Sequence, residues 1–192
     1  VYYNQKSQSY FNKTVDVYPV DAWRIFLSYV PQKGHILDAG CGSGRDSKYF
    51  LEQGYQVTSM DISENMAQLA ESYIQQKVSV GAFEDIVEES TYYAIWCYAS
   101  LLHVRPEALD SVFVKLKKAL KHKGILFMCF KHGDVNHVSE CGRFYYDMND
   151  ERFDKLNMEE KGWKIEENWI QPCPRVIEKN RPDWYTVILR KV

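Results

Sequence analysis

Read for polarity alone, the chain alternates short apolar runs with stretches whose apolar residues recur at helical spacing. Residues 20–29 put Val20, Trp23, Phe26 and Leu27 on one side and stop before Pro31, which predicts a helix. Residues 35–39 read as a short strand that runs into a glycine cluster. Residues 47–53 continue as a helix closed by Gly54. A second strand spans 55–60 and is followed by Asp61. The helix predicted over 63–74 has Ser63 as its N-cap, Glu64 in the first turn, and an apolar face of Met66, Leu69, Ala70 and Tyr73. Strands follow at 78–83 and 92–99. Pro106, tolerated in a first turn, opens a helix that runs to Leu120. Residues 124–130 are apolar throughout, as expected of a strand covered on both faces.

After Lys131 the rhythm changes. A polar segment, 132–143, leads to a helix over 150–160 and a strand over 163–170. A loop over 172–183, containing Pro172, Pro174 and Pro182, lies near the sheet edge, and a last strand covers 184–189. The pattern amounts to five αβ units and a terminal pair of strands. It predicts an α/β fold with helices on both faces of a mostly parallel sheet. Without a repeat, a low-complexity tract or a Pro/Gly-rich linker, residues 1–192 are expected to form a single domain, a size that does not accommodate two full ones.

Composition changes this picture in few places. Aromatic residues reach 15%, with fourteen Tyr and five Trp, enough either to line a pocket or to fill a core with polar edges at the surface. The formal charge of −2 supplies no global field toward nucleic acid or an anionic membrane. Lys115, Lys117, Lys118, Lys121 and Lys123 fall at the end of a predicted helix, where cations complement its dipole. The five cysteines are odd in number and contain no C-x-x-C pair. Cys97 and Cys129 lie in predicted strands, so a reducing cytoplasm is expected rather than a disulfide framework. No apolar run approaches the roughly 18 residues of a membrane span. The opening Val1-Tyr-Tyr-Asn-Gln5 is unlike a signal peptide, and the missing initiator Met points to a trimmed start.

The chemistry concentrates in Ile36-Leu-Asp-Ala-Gly-Cys-Gly-Ser-Gly44, with glycines at 40, 42 and 44 between an apolar strand and a helix. Glycine lets the chain turn tightly and lets a ligand lie on the backbone. Amides at the following helix start favour a carboxylate. Asp61 ends the second strand, where a carboxylate can accept both hydroxyls of a ribose. A pyrophosphate-binding turn would read G-x-G-x-x-G, but its sixth position here is Arg45. That argues against a nicotinamide-dependent oxidoreductase. Asp38, at the strand end, suits a ligand carrying an ammonium group.

At these residues the chain resembles the class I S-adenosylmethionine-dependent methyltransferases. The likeness continues through Phe83-Glu-Asp-Ile86, Tyr98-Ala-Ser-Leu-Leu-His-Val104 and Leu120-Lys-His-Lys-Gly-Ile-Leu126, and so covers roughly residues 10–131. Within that family it is most similar to small single-domain bacterial enzymes akin to the tellurite-resistance group. Cys141-Gly-Arg-Phe-Tyr145 and Arg181-Pro-Asp-Trp-Tyr-Thr186 resemble that subgroup, while His132-Gly-Asp-Val-Asn-His-Val138 departs from it. The resemblance implies a Rossmann-like, seven-stranded sheet with an antiparallel last strand. It also implies an N-terminal helical segment (1–30) covering the cofactor site, a cofactor-binding core (31–131) and a substrate-side region (132–192).

For S-adenosylmethionine, with S-adenosylhomocysteine as product, the resemblance places Asp38 at the methionine ammonium, directly or through water. Gly40, Cys41, Gly42 and Arg45 would line the turn, Asp61 would hold the ribose, and Ile62 and Met66 would pack beside the adenine. Phe83 lies in the adenine segment, where Glu84 or Asp85 would approach the amino group, and Tyr98 and Ala99 would sit near the sulfonium. The expected reaction is methylation of a small-molecule acceptor. RNA or protein methylation and a non-catalytic binding module are the alternatives, nucleic acid being disfavoured by charge. A monomer or homodimer is expected.

No catalytic residue is assigned. His103 reads either as a general base or as a loop-fixing hydrogen bonder, and methyl transfer from a sulfonium does not require a base. Lys131, Arg143 and Arg181 are candidates for a cationic patch suited to an acidic substrate. Tyr10 and Phe11 either close over the cofactor or pack on the sheet. His132, His137 and Cys141 lack a fourth ligand and a familiar metal spacing, so no metal is expected.

Overall fold

A computed structural model describes residues 2–173 and 182–192. Five strands run parallel: β1 (His35–Ala39), β2 (Gln56–Asp61), β3 (Val78–Val80), β4 (Tyr92–Cys97) and β5 (Leu120–Lys131). Two later strands, β8 (Trp163–Gln171) and β9 (Trp184–Lys191), complete a seven-stranded sheet in the order β3-β2-β1-β4-β5-β9-β8. β9 is antiparallel to both of its neighbours, β5 and β8. Strand order reverses at β1, which pairs with β2 on one side and β4 on the other. Such a switch point opens a crevice beyond the carboxyl ends of the strands.

Period-2 alternation assigns the two sheet faces. Ala94 and Trp96 of β4, with Ile125, Phe127 and Cys129 of β5, join one cluster with Ala22, Trp23 and Phe26 of α2 (Val20–Ser28) and Phe50 of α3 (Arg45–Glu52). Ile95, Cys97, Leu126, Met128 and Phe130 point the other way, against Leu109, Val112, Phe113 and Leu116 of α5 (Pro106–Ala119). Helix α4 (Glu64–Ile74) packs Ala67, Ala70 and Ile74 with Cys41 and Val78. Burying large side chains on both faces explains why the central strands read as unbroken apolar runs. Among the described residues, no helix is long and apolar enough to cross a membrane.

Several boundaries differ from those read in the sequence. β3 stops at Val80 instead of reaching Phe83, because Phe83–Asp85 forms a single 3-10 turn in which the Asp85 Oδ2 accepts from the Ala82 amide at 2.8 Å. β4 ends at Cys97, and Ala99 turns the chain at a left-handed φ of 55°. The helix expected over 150–160 is only α6 (Asp150–Asp154), since Asn157 is left-handed at φ 49°. The polar segment 132–143 holds β6 (Asn136–Val138), which pairs with β7 (Phe144–Tyr146) as a small antiparallel unit. β6 gave no apolar signal because it is mostly exposed.

Helix α1 (Tyr2–Thr14), broken at Lys6, has no apolar stripe and is held by tertiary contacts instead. Asn4 Oδ1 accepts from the Ser63 hydroxyl at 2.5 Å, and the Asn4 carbonyl accepts from Asn65 Nδ2 at 2.8 Å. Phe11 meets the edge of Tyr73 at 5.7 Å, beside α4 rather than on the sheet. Ser63 also caps α4 by accepting from the Met66 amide at 3.2 Å. Ser63→Ala should therefore cost about 1–2 kcal/mol, read as a lower urea midpoint, and should speed proteolysis of residues 1–14. Cleavage at the parent rate would show that α1 does not depend on this anchor.

Candidate functional site

The turn after β1 is shaped by what a side chain would strike. Gly40, at φ 85°, has no room for a Cβ, which would fall 2.5 Å from the Ser100 Cβ. Ser100 in turn donates to the Ala39 carbonyl at 2.7 Å, locking the β1 and β4 exits together. The amides of Gly40 and Cys41 both donate to the Met60 carbonyl at 2.9 Å, joining this turn to the end of β2. Gly44, at φ 76°, begins α3 and sits against Ala70 and Ile74, where a Cβ would approach to 3.1 and 2.9 Å. Gly42, by contrast, opens on the cavity, with only the Tyr10 ring 3.8 Å from where its Cβ would be.

Asp61 closes this turn from the neighbouring strand. Its Oδ2 accepts from the Gly42 amide and its Oδ1 from the Ser63 amide, both at 2.9 Å. Burial raises the pKa of this carboxyl, and the two amides pull it back. Each carboxylate oxygen carries a further lone pair, so the group is oriented and still able to accept from a ligand.

The crevice holds a cavity of about 890 Å³. Of the residues expected at a cofactor, Gly40, Cys41, Gly42, Arg45, Asp61, Ile62, Met66, Phe83, Glu84, Tyr98 and Ala99 line it. Tyr10, His103, Lys131 and Arg143 line it as well. Arg181 lies outside the described residues.

Asp38 and Asp85 do not line the cavity. Asp85 is spent on its 3-10 turn. Asp38 is buried behind the glycine turn, where it accepts from Ser47 Oγ at 2.6 Å, and Ser47 meets Ser59 at 2.7 Å. Burial, then the Asp46 charge, raises the pKa of the Asp38 carboxyl. Arg45 reaches the cavity wall but is already neutralised. Its Nε and Nη2 grip Asp46 at 2.9 and 2.8 Å, and Nη1 donates to the Val17 carbonyl at 2.6 Å, pinning the segment after α1.

Beyond the turn, the cavity becomes aromatic. The Nδ1 of His103 lies 2.7 Å from the Phe144 carbonyl, which can only accept, so Nδ1 carries the proton. Nε2 is then the acceptor for the Tyr3 hydroxyl at 2.9 Å. Burial pushes the His103 pKa down to about 4, leaving a neutral ring. Both nitrogens are engaged in holding α1 and β7 to the β4 exit, which favours the loop-fixing reading over the base. His132 stacks at Tyr185 and His137 at Tyr145, and among the described residues no three His, Cys, Asp or Glu side chains are grouped so as to hold a metal ion.

Sequence reasoning did not single out Tyr2, Tyr3, Tyr145 or Trp184, all of which line the cavity. For the tyrosines, the adjacent aromatics at 2–3 and 144–146 were the available signal, but nothing in either segment says that they meet. Tyr98 and Trp184 line the cavity, and the Tyr98 hydroxyl and Trp184 indole nitrogen are buried without a hydrogen-bond partner among the described residues.

With this geometry in place, comparisons with known proteins agree on its type. Residues 36–124 match the family described as Methyltransferase domain. The Bacillus subtilis protein YqeM is 28% identical over 130 residues, covering 62% of this chain and 51% of YqeM. A ubiquinone biosynthesis O-methyltransferase of Xanthomonas oryzae is 34% identical over 101 residues, 48% of this chain and 41% of that protein. The chain spans about half the length of the relatives it matches. Among solved structures, Burkholderia thailandensis 1,6-didemethyltoxoflavin-N1-methyltransferase, with bound 1,6-didemethyltoxoflavin and S-adenosylhomocysteine, superposes with a TM-score of 0.79. Its identity is 20%, and the match covers all (100%) of this chain and 88% of that one. The fold is thus the Rossmann-like class I methyltransferase fold, with its antiparallel strand at β9.

Proposed function

Taking the chain as a class I S-adenosylmethionine-dependent methyltransferase domain, we propose that it transfers the methyl group of that cofactor to a nucleophile on a small molecule, the whole chain acting as one unit. The observation that carries this reading is the glycine turn facing the cavity, closed by an Asp61 carboxylate that two backbone amides hold in place. Asp61 is oriented to accept from ribose hydroxyls, Gly42 leaves its side open, and Ile62, Met66 and Phe83 give an apolar wall for a base. Asp38, behind the turn, offers negative charge through Ser47 and the backbone rather than by direct contact.

When bound, the sulfonium supplies an electrophilic methyl whose bond to sulfur breaks as the acceptor's lone pair forms the new one, the thioether leaving neutral and any acceptor proton passing to solvent. Placement then carries most of the acceleration, and Tyr98 and Trp184 supply aromatic wall beside what binds. A small-molecule acceptor is supported by a cavity bounded by α1 and by the β6–β7 unit rather than an open basic surface. The finer kinship with tellurite-resistance enzymes is supported by sequence likeness alone, in Gly42-Ser-Gly-Arg-Asp46, Cys141-Gly-Arg-Phe-Tyr145 and Arg181-Pro-Asp-Trp-Tyr-Thr186. Free cysteines at 41, 97, 129, 141 and 173 support a reducing compartment.

S-adenosylhomocysteine at about a hundred times its dissociation constant should raise the melting temperature by roughly 5–10 °C, and NAD should not. A flat response to S-adenosylhomocysteine, or an equal response to NAD, would overturn the assignment.

A further inference from the structure

The carboxylates lining the cavity gather at one end, where Arg45 is paired with Asp46; Lys13 of α1 is a further lining cation. The acidic residues, Asp46, Asp61 and Glu84, belong to the glycine-turn end and the segment after β3. The opposite end carries Arg105, Lys131 and Arg143, and no carboxylate lines it among the described residues. All three cations sit on aromatic rings. Arg143, in the turn between β6 and β7, lies 4.3 Å from the Tyr2 ring centroid, 5.3 Å from Tyr145 and 5.8 Å from Tyr3. The Lys131 Nζ lies 3.6 Å from the Tyr145 centroid, and the Arg105 guanidinium 5.1 Å from Phe144.

Arg143 is the informative member. Its Nε donates to the Cys141 sulfur at 3.2 Å, and Nη1 reaches the Tyr3 hydroxyl at 3.5 Å. Hydrogen bonds from Ser139 and Arg143 lower the pKa of the exposed Cys141 thiol, but neither acceptor is a carboxylate. It makes no ion pair with a described residue. Asp147, on this side, faces His137 at 3.7 Å, and neither it nor Glu140, which shares the turn with Arg143, lines the cavity. His103 adds no charge, being neutral with both nitrogens engaged. A guanidinium cradled by π faces is positioned and partly desolvated while no described carboxylate pairs with it. That arrangement gains most from an anion that brings both charge and a flat face.

The geometry points to a small planar acid as the methyl acceptor, with its carboxylate on Arg143 and its ring among Tyr2, Tyr3 and Tyr145. This deepens the methyltransferase reading and rests on it, because the glycine-turn end must take the cofactor for this end to face the methyl group.

The test titrates the protein, saturated with S-adenosylhomocysteine, with benzoate, benzamide and benzylamine by calorimetry. Benzoate should bind at least tenfold more tightly than benzamide, and benzylamine more weakly than either. In Arg143→Gln the benzoate preference should vanish, while benzamide and S-adenosylhomocysteine bind within twofold of the parent, which also shows that the variant folds. Arg143→Lys, which keeps the charge and loses the fork, should fall between. Equal binding of benzoate and benzamide, absence of benzoate binding, or a preference that survives Arg143→Gln would overturn the proposal. A protein that ignores S-adenosylhomocysteine but still prefers benzoate through Arg143 would overturn the cofactor reading and leave the anion site standing.

Discussion

Asp61→Ala is expected to lower the affinity for S-adenosylhomocysteine by at least about a hundredfold. Hydrogen bonds to a charged group contribute about 1.5–3 kcal/mol each, and every 1.4 kcal/mol is tenfold in affinity. Two ribose hydroxyls on one carboxylate therefore suffice for a hundredfold. The same substitution removes the acceptor of the Gly42 and Ser63 amides, which tie the glycine turn to the start of α4. Leaving these amides to whatever water reaches them should cost about 2 kcal/mol of stability, or some 4–8 °C in melting temperature for a chain of this size. The two losses are separable. Asp61→Asn retains one oxygen for an amide and should recover part of the stability, while its NH2 group cannot accept from a second hydroxyl. Calorimetric titration and thermal denaturation of both variants provide the check. Affinity within threefold of the parent in Asp61→Ala would show that the sugar is held elsewhere.

What could be read in the chain follows the division between local and distant contacts. The strand, glycine turn, helix, strand and carboxylate from Ile36 to Asp61 lie within one αβ unit. Their register puts Ala39 beside Met60 and so fixes Asp61 next to Gly42. Ser63 was legible as a cap because capping is a contact three residues long. Tyr3, His103 and Phe144 were not legible as a group, since hydrogen bonds spanning 100 and 41 residues join them. β6 was missed for a related reason: a three-residue exposed strand has no periodicity to show. The placement of Asp38 also needed three dimensions. The motif identifies an acid at the strand end, while only the packing of Ser47 and Ser59 shows that it stands behind the turn rather than in the cavity.

That position sets up the second large effect, a pH dependence carried by Asp38. The carboxyl is buried and feels Asp46, so its folded pKa is raised above the unfolded value of about 3.9. Over the interval between the two values the folded protein holds a proton that the unfolded chain has released. Stability is then greatest below about pH 4, as far as this group is concerned, and falls as pH rises into the neutral range, with a slope approaching 1.4 kcal/mol per pH unit. Asp46, the charge that Asp38 feels, is held in place by Arg45 at 2.8 Å and by the Trp23 indole, which donates to its Oδ1 at 2.8 Å.

Asp38→Asn keeps an oxygen for the Ser47 hydroxyl and removes the ionisation. Its urea midpoint should therefore decline less steeply than the parent's, leaving the variant the more stable protein at pH 8. The remaining slope includes that of Asp61, whose buried carboxyl also has a raised pKa. A ligand that brings an ammonium group near the turn should reverse this ordering, since it favours the ionised carboxylate. Binding of S-adenosylhomocysteine should accordingly expel a proton, seen as calorimetric heats that scale with the ionisation enthalpy of the buffer in the parent and not in Asp38→Asn. Parallel stability curves for the two proteins would mean that Asp38 is already ionised in the free protein, with Ser47 and the surrounding dipoles offsetting its burial.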